Sequence, residues 1–174
     1  MNDEEDEERY RINKEFAHPK AIELIPDEFF WDCVDELAPF GSDEGDMALA
    51  EYREWRKENP DKSIIDCLIW VIEDVGEMDF KDFNDTLLDR NLIKSQLNDD
   101  NYDSEQYIFT LDISVIATGF AQLVDEGKID DGAKPIINLA IDREIISSEL
   151  MINWEYSEEY INNLKKLKEV LEKV

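Results

Sequence analysis

The sequence predicts an all-α protein, either an irregular multi-helix bundle or a set of stacked helical hairpins. Apolar residues recur at helical spacing in most segments, and no segment alternates apolar and polar residues between hairpin turns. The 174 residues include only 6 Gly and 5 Pro, which argues against a many-turned β architecture. Hydrophobic residues make up 43% of the chain, enough for a core in one domain of this size. Residues 10–174 are therefore predicted to form a single helical domain.

The N-terminal elements follow from local start and stop signals. Six consecutive acids, Asp3 to Glu8, repel one another and predict an acidic flexible tail over residues 1–9. Residues 18–37 are interpreted as two short helices, the first with Pro19 at its first position. Helical spacing predicts a core-facing set here, namely Phe29, Phe30, Cys33, Val34 and Leu37.

A well-delimited helix is predicted from Asp43 or Glu44 to about Glu58, because Asn59-Pro60 stops it. Its expected inner face consists of Met47, Leu49, Tyr52 and Trp55. The remaining helical segments are expected over residues 63–76, 77–98, 104–126, 130–150 (one or two helices) and 157–174; β-branched residues around 113–118 leave a strand possible in the third, but its length favours a helix. The first of these has Ser63 as N-cap and Gly76 as its stop. Since it is apolar nearly all round, it is predicted to be the central buried helix.

The net charge restricts the class of partner. Forty-five Asp and Glu against 18 Lys and Arg give a formal net charge of −27. Binding to nucleic acid or to an anionic membrane requires cationic groups, so both are disfavoured. An acidic surface suits a basic protein partner, a cation, or solubility alone. A basic protein is the predicted partner.

Cysteine usage and the N-terminal composition predict a cytoplasmic protein. Cys33 and Cys67 form no CxxC pair and are expected to be buried thiols. The stretch MNDEEDEERY is acidic where a signal peptide is basic. The longest apolar stretches, such as Ile64 to Ile72, are expected to be too short to span a bilayer. No cofactor is predicted.

The stretch PFGSDEG, residues 39–45, could be a ligand loop or only a helix start. A phosphate loop is excluded because Asp43, Glu44 and Asp46 stand where the phosphate would approach. An EF-hand is excluded because Phe40 would occupy the first ligand position. Two interpretations remain: an N-cap at Ser42 or Asp43 with acids in the first turn, or a site for a hard cation or a cationic partner formed by those three acids.

No complete catalytic set is found in the sequence. His18 is the single histidine, which excludes His-based zinc sites and Ser-His or Cys-His triads. Asp142 and Glu144 flank Arg143, an arrangement interpreted as a surface or helix-junction ion pair. Four tryptophans fall on predicted inner faces, and of these Trp31 or Trp55, if exposed, would be a binding hot spot.

Several motifs in the N-terminal third resemble the YfeS-like family of uncharacterised bacterial proteins. They are HPKA at residues 18–21, FFWD at 29–32, PFGSDEGDMAL at 39–49 and EWR at 54–56. The resemblance covers roughly residues 17–75 and implies no catalytic residues. Similar small acidic bacterial proteins are suspected to act as immunity or accessory proteins beside toxins, so the resemblance implies such a role by type alone.

These observations lead to three functional hypotheses. The first is a non-enzymatic domain that binds a basic protein partner, in its most concrete form an immunity-type inhibitor, through Asp43, Glu44, Asp46, Trp31 and Trp55. The second is a carboxylate-based divalent-metal binder or hydrolase centred on the same three acids. The third is a structural or adaptor domain that dimerises through its last helix.

Overall fold

A computed structural model describes residues 10–99 and 104–174 as a set of packed helices, which confirms the all-α class. No strand occurs within these two ranges. The predicted acidic tail over residues 1–9 lies outside the described residues. The α-helices are α1 (Pro19–Leu24), α2 (Asp43–Glu58), α3 (Ile64–Trp70), α4 (Arg90–Leu97), α5 (Ser104–Glu126), α6 (Lys134–Leu150) and α7 (Ser157–Lys173). Short 3₁₀ turns connect several of them, and α3 continues as a π-helical turn, Val71–Val75.

The central buried helix is α5, and the prediction that residues 63–76 fill this role is wrong. Every residue from 111 to 124 is buried, because α2, α3 and α6 all pack against α5. Helix α3 buries Ile64, Cys67 and Leu68 but leaves Trp70 at the surface. An apolar helix can be surrounded only where neighbours cover all its sides, and α5 has those neighbours.

The expectation that the longest apolar stretches are too short to span a bilayer is wrong for α5. Tyr107–Glu126 is long and apolar enough to cross a membrane by length and composition alone. In the structure 83% of an 18-residue window of this segment is buried against other parts of the chain. Packing within the protein therefore accounts for its apolar composition.

The PFGSDEG stretch forms a tight turn followed by a capped helix start. The Ser42 hydroxyl accepts a hydrogen bond from the Gly45 N–H at 3.1 Å, which caps α2. A Cβ at Gly41 would lie 1.9 Å from the Asp35 carbonyl oxygen, and one at Gly45 would lie 1.9 Å from that of Pro39. Both glycines are thus required by close backbone approach. Phe40 is fully buried behind the turn.

Three side chains predicted to face the core are at the surface instead. Met47 is 61% exposed and Val34 is 74% exposed, and Cys33 is also exposed. The second predicted short helix is only a 3₁₀ turn, Glu28–Trp31, so helical spacing does not apply beyond it. The Asp32 carboxylate then accepts hydrogen bonds from the backbone of residues 34 and 35, which redirects the chain outward.

The last helix is docked on the protein along its apolar stripe. Leu164, Leu167 and Leu171 of α7 are buried, and α7 packs mainly against α6. Lys168 bonds Asp142 on α6 at 2.6 Å and adds a polar contact at the edge of the stripe. The stripe that the adaptor hypothesis assigned to dimerisation is therefore covered by the same chain.

The turn before α2 allows a stability prediction. In most helices a Gly→Ala substitution is favourable, but Gly45→Ala should destabilise the protein by about 2 kcal/mol because the new methyl group meets the Pro39 carbonyl. Urea unfolding of the full chain measures the difference. Met47→Ala, at an exposed position of the same helix, is the matched control and should change stability by less than about 0.5 kcal/mol. Equal stability of Gly45→Ala and the wild type would contradict the proposed close approach.

Candidate functional site

The three acids singled out from the sequence occupy the first turn of α2. Asp43 is exposed, while Glu44 and Asp46 are partly buried, and all three lie near the positive end of the helix dipole. Among residues 10–99 and 104–174 no group of three or more His, Cys, Asp or Glu side chains is placed to hold a metal ion. The arrangement fits a helix start, and nothing in its geometry favours the metal hypothesis.

The two tryptophans of the partner-binding hypothesis have opposite environments. Trp31 is only 8% exposed, and its indole N–H donates to the Ile25 carbonyl at 2.9 Å. Its ring packs edge-on against Phe30 at 4.9 Å, so Trp31 belongs to the core. Trp55 is partly exposed and borders a surface groove. A binding hot spot must be accessible to the partner, so of these two tryptophans only Trp55 remains a candidate.

The groove that contains Trp55 has a volume of about 550 Å³ and lies between α2 and the end of α3. We call it the tryptophan groove, and its lining residues are Ala50, Glu51, Glu54, Trp55, Glu58 and Trp70. Trp70 is 40% exposed. The groove therefore presents two indole rings from two different helices to solvent.

A neighbouring arginine holds Trp55 in place. The Arg56 guanidinium carbon lies 5.0 Å from the centre of the Trp55 ring. Arg56 in turn donates to the Lys62 carbonyl at 2.7 Å and pairs with Glu126 at 3.2 Å. Because these bonds tie α2 to α5 and to the following loop, the Trp55 ring is supported from behind. A pre-organised aromatic side chain loses little entropy when a partner binds.

Carboxyl groups follow the same edge of the groove. Glu51, Glu54 and Glu58 are spaced three and four residues apart, which places them on one side of α2. Glu54 pairs with Lys57 at 3.0 Å, but both side chains are more than 60% exposed, so this pair contributes little. Partial burial raises the pKa of Glu51, and the charge of Asp74 adds to the effect. The groove thus combines aromatic faces with a negative rim.

A second group of polar residues is buried inside the protein. Arg143 of α6 donates from Nε and Nη2 to the Asp112 carboxylate of α5, at 2.8 and 2.7 Å. Both side chains are at most 2% exposed. Glu144 is 3% exposed, and its Oε1 accepts a hydrogen bond from the Tyr160 hydroxyl of α7 at 2.8 Å. The expectation that Arg143 forms a surface or helix-junction pair is therefore wrong.

This buried cluster holds two carboxyl groups and one guanidinium, so one proton is retained. Burial raises the pKa of Asp112, an effect opposed by the charge and hydrogen bonds of Arg143. Burial raises the pKa of Glu144 well above its usual range, and the neighbouring Asp112 charge raises it further. Because the Asp112 carboxylate accepts all the hydrogen bonds that Arg143 donates to this cluster, we assign the proton to Glu144.

A cavity of about 180 Å³ adjoins the cluster where α5, α6 and α7 meet. Glu144 and Tyr160 form part of its wall, together with Trp154, whose ring packs edge-on against Tyr160 at 5.5 Å. The cavity is thus lined by two carboxyl groups, those of Glu36 and Glu144, by aromatic rings and by aliphatic side chains.

The sequence contains only weak signals for the tryptophan groove and for the buried polar cluster. Trp70 and the rim acids could not be grouped with Trp55 because the groove joins two helices. Asp112 interrupts a long apolar run in α5, and Arg143 interrupts one in α6. A charged residue on an otherwise apolar helix face indicates a buried ion pair when a second such residue of opposite sign exists.

The chain is thus an acidic all-α protein with an exposed aromatic groove and a buried polar cluster, and it resembles a known bacterial protein. It is 27% identical over 146 residues to the uncharacterized protein YfeS of Escherichia coli (strain K12). The matched region is 84% of this chain and 57% of that protein, so the chain spans little more than half of its length. The YfeS-like resemblance is confirmed and extends beyond residues 17–75. No family model and no solved structure matches the chain.

The buried proton predicts a pH dependence of stability that Glu144→Gln should remove. The pKa of Glu144 is raised on folding, so its stabilising contribution is complete below its unfolded pKa, near 4.5, and is lost as the pH rises through its folded pKa. Over that window the wild type should lose up to about 1.4 kcal/mol per pH unit through this group. The Gln amide can still accept from Tyr160 and donate to Asp112.

Urea unfolding of both proteins at a series of pH values from about 5 to 8 measures this dependence. Glu158→Gln, an exposed carboxyl on α7, controls for general surface charge. A Glu144→Gln protein whose stability falls with pH as steeply as that of the wild type would show that Glu144 is ionised in the fold.

Proposed function

We propose that this protein binds a basic protein partner and that the tryptophan groove receives a cationic segment of it. The observation that carries the proposal is that an exposed indole, Trp70, and a partly exposed one, Trp55, share one groove with three glutamates on a chain of net charge −27. Ammonium and guanidinium groups are attracted both to the faces of tryptophan rings and to carboxylates. A segment rich in Lys or Arg therefore matches both parts of the groove.

Electrostatics and contact would have separate roles in such a complex. The overall negative charge would attract the partner and raise the association rate, most strongly at low salt. Trp55 and Trp70 would supply buried apolar area and slow dissociation, as aromatic hot spots do. The most concrete form of this function is an immunity-type inhibitor that covers the basic surface of its target.

The three glutamates of the groove provide the first test. Replacing Glu51, Glu54 and Glu58 together with Gln should weaken binding of a synthetic Lys- and Arg-rich peptide by about tenfold or more, because the local negative charge is lost. Fluorescence anisotropy of the labelled peptide at low and physiological salt measures the affinity.

A triple variant with the same change in net charge is the matched control. Glu158, Glu159 and Glu169 are exposed on α7, away from the groove, and their replacement with Gln should weaken binding by less than about threefold. Equal losses in the two triple variants would reduce the interaction to general charge attraction and reject the groove.

Trp70→Ala tests the aromatic part of the proposal. The substitution should weaken peptide binding by about 1–2 kcal/mol, because it removes a ring that would be buried against the partner. Tyr156→Ala, an aromatic residue 49% exposed elsewhere on the surface, should leave binding unchanged. Circular dichroism confirms that both variants retain their helices. An affinity unaffected by Trp70→Ala would rule out the groove as the contact surface.

A further inference from the structure

The cavity beside Glu144 has a lining suited to a ligand that carries positive charge. Phe109, Trp154 and Tyr160 supply aromatic surface, and Glu36 and Glu144 supply carboxyl groups. Aromatic faces and carboxylates are the groups that proteins use to bind organic ammonium and guanidinium ions. The volume of about 180 Å³ restricts the ligand to a small molecule or a single side chain.

The buried cluster lacks one positive charge. Asp112 and Glu144 bring two carboxyl groups into the interior, and Arg143 brings the only guanidinium among the buried residues described. Arg143 directs its bonds to Asp112, at 2.7 to 3.0 Å. Glu144 is left with the neutral Tyr160 hydroxyl as its donor. A proton on Glu144 restores neutrality, and a cation in the cavity would do the same.

Ser147 adds a hydroxyl group to the wall of the cavity. Its side chain is one helical turn from Glu144 on α6, lines the same cavity and is only 4% exposed. The Ser147 hydroxyl oxygen can accept a hydrogen bond from a ligand N–H in the cavity.

We propose that this cavity binds a small organic cation, a primary ammonium or a guanidinium group, which pairs with the Glu144 carboxylate and stacks against Trp154 and Tyr160. On binding, the Glu144 carboxyl group releases its proton to solvent and its place as counter-charge is taken by the ligand. One cation enters and one proton leaves, so the charge of the interior is conserved. The site is separate from the tryptophan groove and does not depend on the function proposed for that groove.

The exchange makes binding dependent on pH. The groups that face Glu144 are Asp112 of α5, Arg143 of α6, Tyr160 of α7 and Glu36 at the cavity wall. Burial raises the pKa of Tyr160 well above its usual range, so this hydroxyl keeps its proton. Arg143 keeps its charge because Asp112 raises its pKa against the opposing effect of burial. Glu144 is therefore the group that loses the proton, and binding should tighten as the pH rises.

Isothermal titration calorimetry of the full chain with benzylamine tests this proposal. Benzyl alcohol, the neutral counterpart, should bind at least about tenfold more weakly, because it cannot replace the proton. Titrations at one pH in two buffers of different ionisation enthalpy should show release of close to one proton for each benzylamine bound. This measurement uses the unaltered protein and so does not depend on how a variant folds.

Variants then assign the binding to this cavity. Glu144→Gln should weaken benzylamine binding about tenfold or more, whereas Glu158→Gln on the exposed side of α7 should not change it. Trp70→Ala should also leave it unchanged, which excludes the tryptophan groove as the benzylamine site. Absence of benzylamine binding, binding without proton release, or equal affinity in Glu144→Gln would each overturn the proposal.

Discussion

The buried ion pair between Arg143 and Asp112 is the interaction that the centre of this structure depends on. Loss of either partner would leave a charge in the interior and cost about 3–5 kcal/mol, although an apolar pair of similar size could be equally stable. The pair therefore selects one arrangement of α5 and α6 more than it adds stability. Once Arg143 is directed at α5, the next residue, Glu144, reaches Tyr160 on α7. The same geometry places Ser147 on the cavity wall.

Apart from this pair and Glu144, the charged side chains of the described residues lie at or near the surface. Among the described residues that are buried, only Asp112, Arg143 and Glu144 have ionisable acidic or basic side chains. The net charge of the whole chain is −27. Such an excess repels itself and lowers the stability of the compact state. A cationic partner would relieve this repulsion, so that binding and folding would support each other. Salt would weaken the long-range attraction and leave the contacts of Trp55 and Trp70 largely intact.

Local signals in the sequence were sufficient for several elements. Helix α2 occupies Asp43–Glu58 as predicted, because its cap at Ser42 and its stop at Asn59-Pro60 are both short-range features. The predicted stop at Gly76 is also a short-range feature, and this residue caps the π-helical turn that follows α3. The spacing of apolar residues failed at Val34 and Cys33, since that segment leaves helical geometry after a single 3₁₀ turn.

The candidate sites could not be predicted in this way because they join residues that are distant in the chain. Arg143 pairs with Asp112, 31 positions earlier in the chain, whereas the prediction from the sequence paired it with its immediate neighbours. Trp55 and Trp70 meet at one groove only because α3 returns beside α2 after the turn at Asn59-Pro60. Composition predicts only that a partner would be basic, and the positions that would contact such a partner depend on helix packing.

The two sites use carboxyl groups in physically opposite ways. At the tryptophan groove the acids are mostly exposed, so they act over a distance and discriminate poorly among cationic partners. At the cavity a single carboxyl group is buried beside another acid, and it holds a proton until something of equal charge replaces it. Water screens the charges at the tryptophan groove but screens those at the cavity much less. The burial that disfavours an unpaired carboxylate also strengthens its attraction to a cation that fits the cavity. Selectivity for a small ligand is therefore expected at the cavity, and attraction of a large basic surface at the groove.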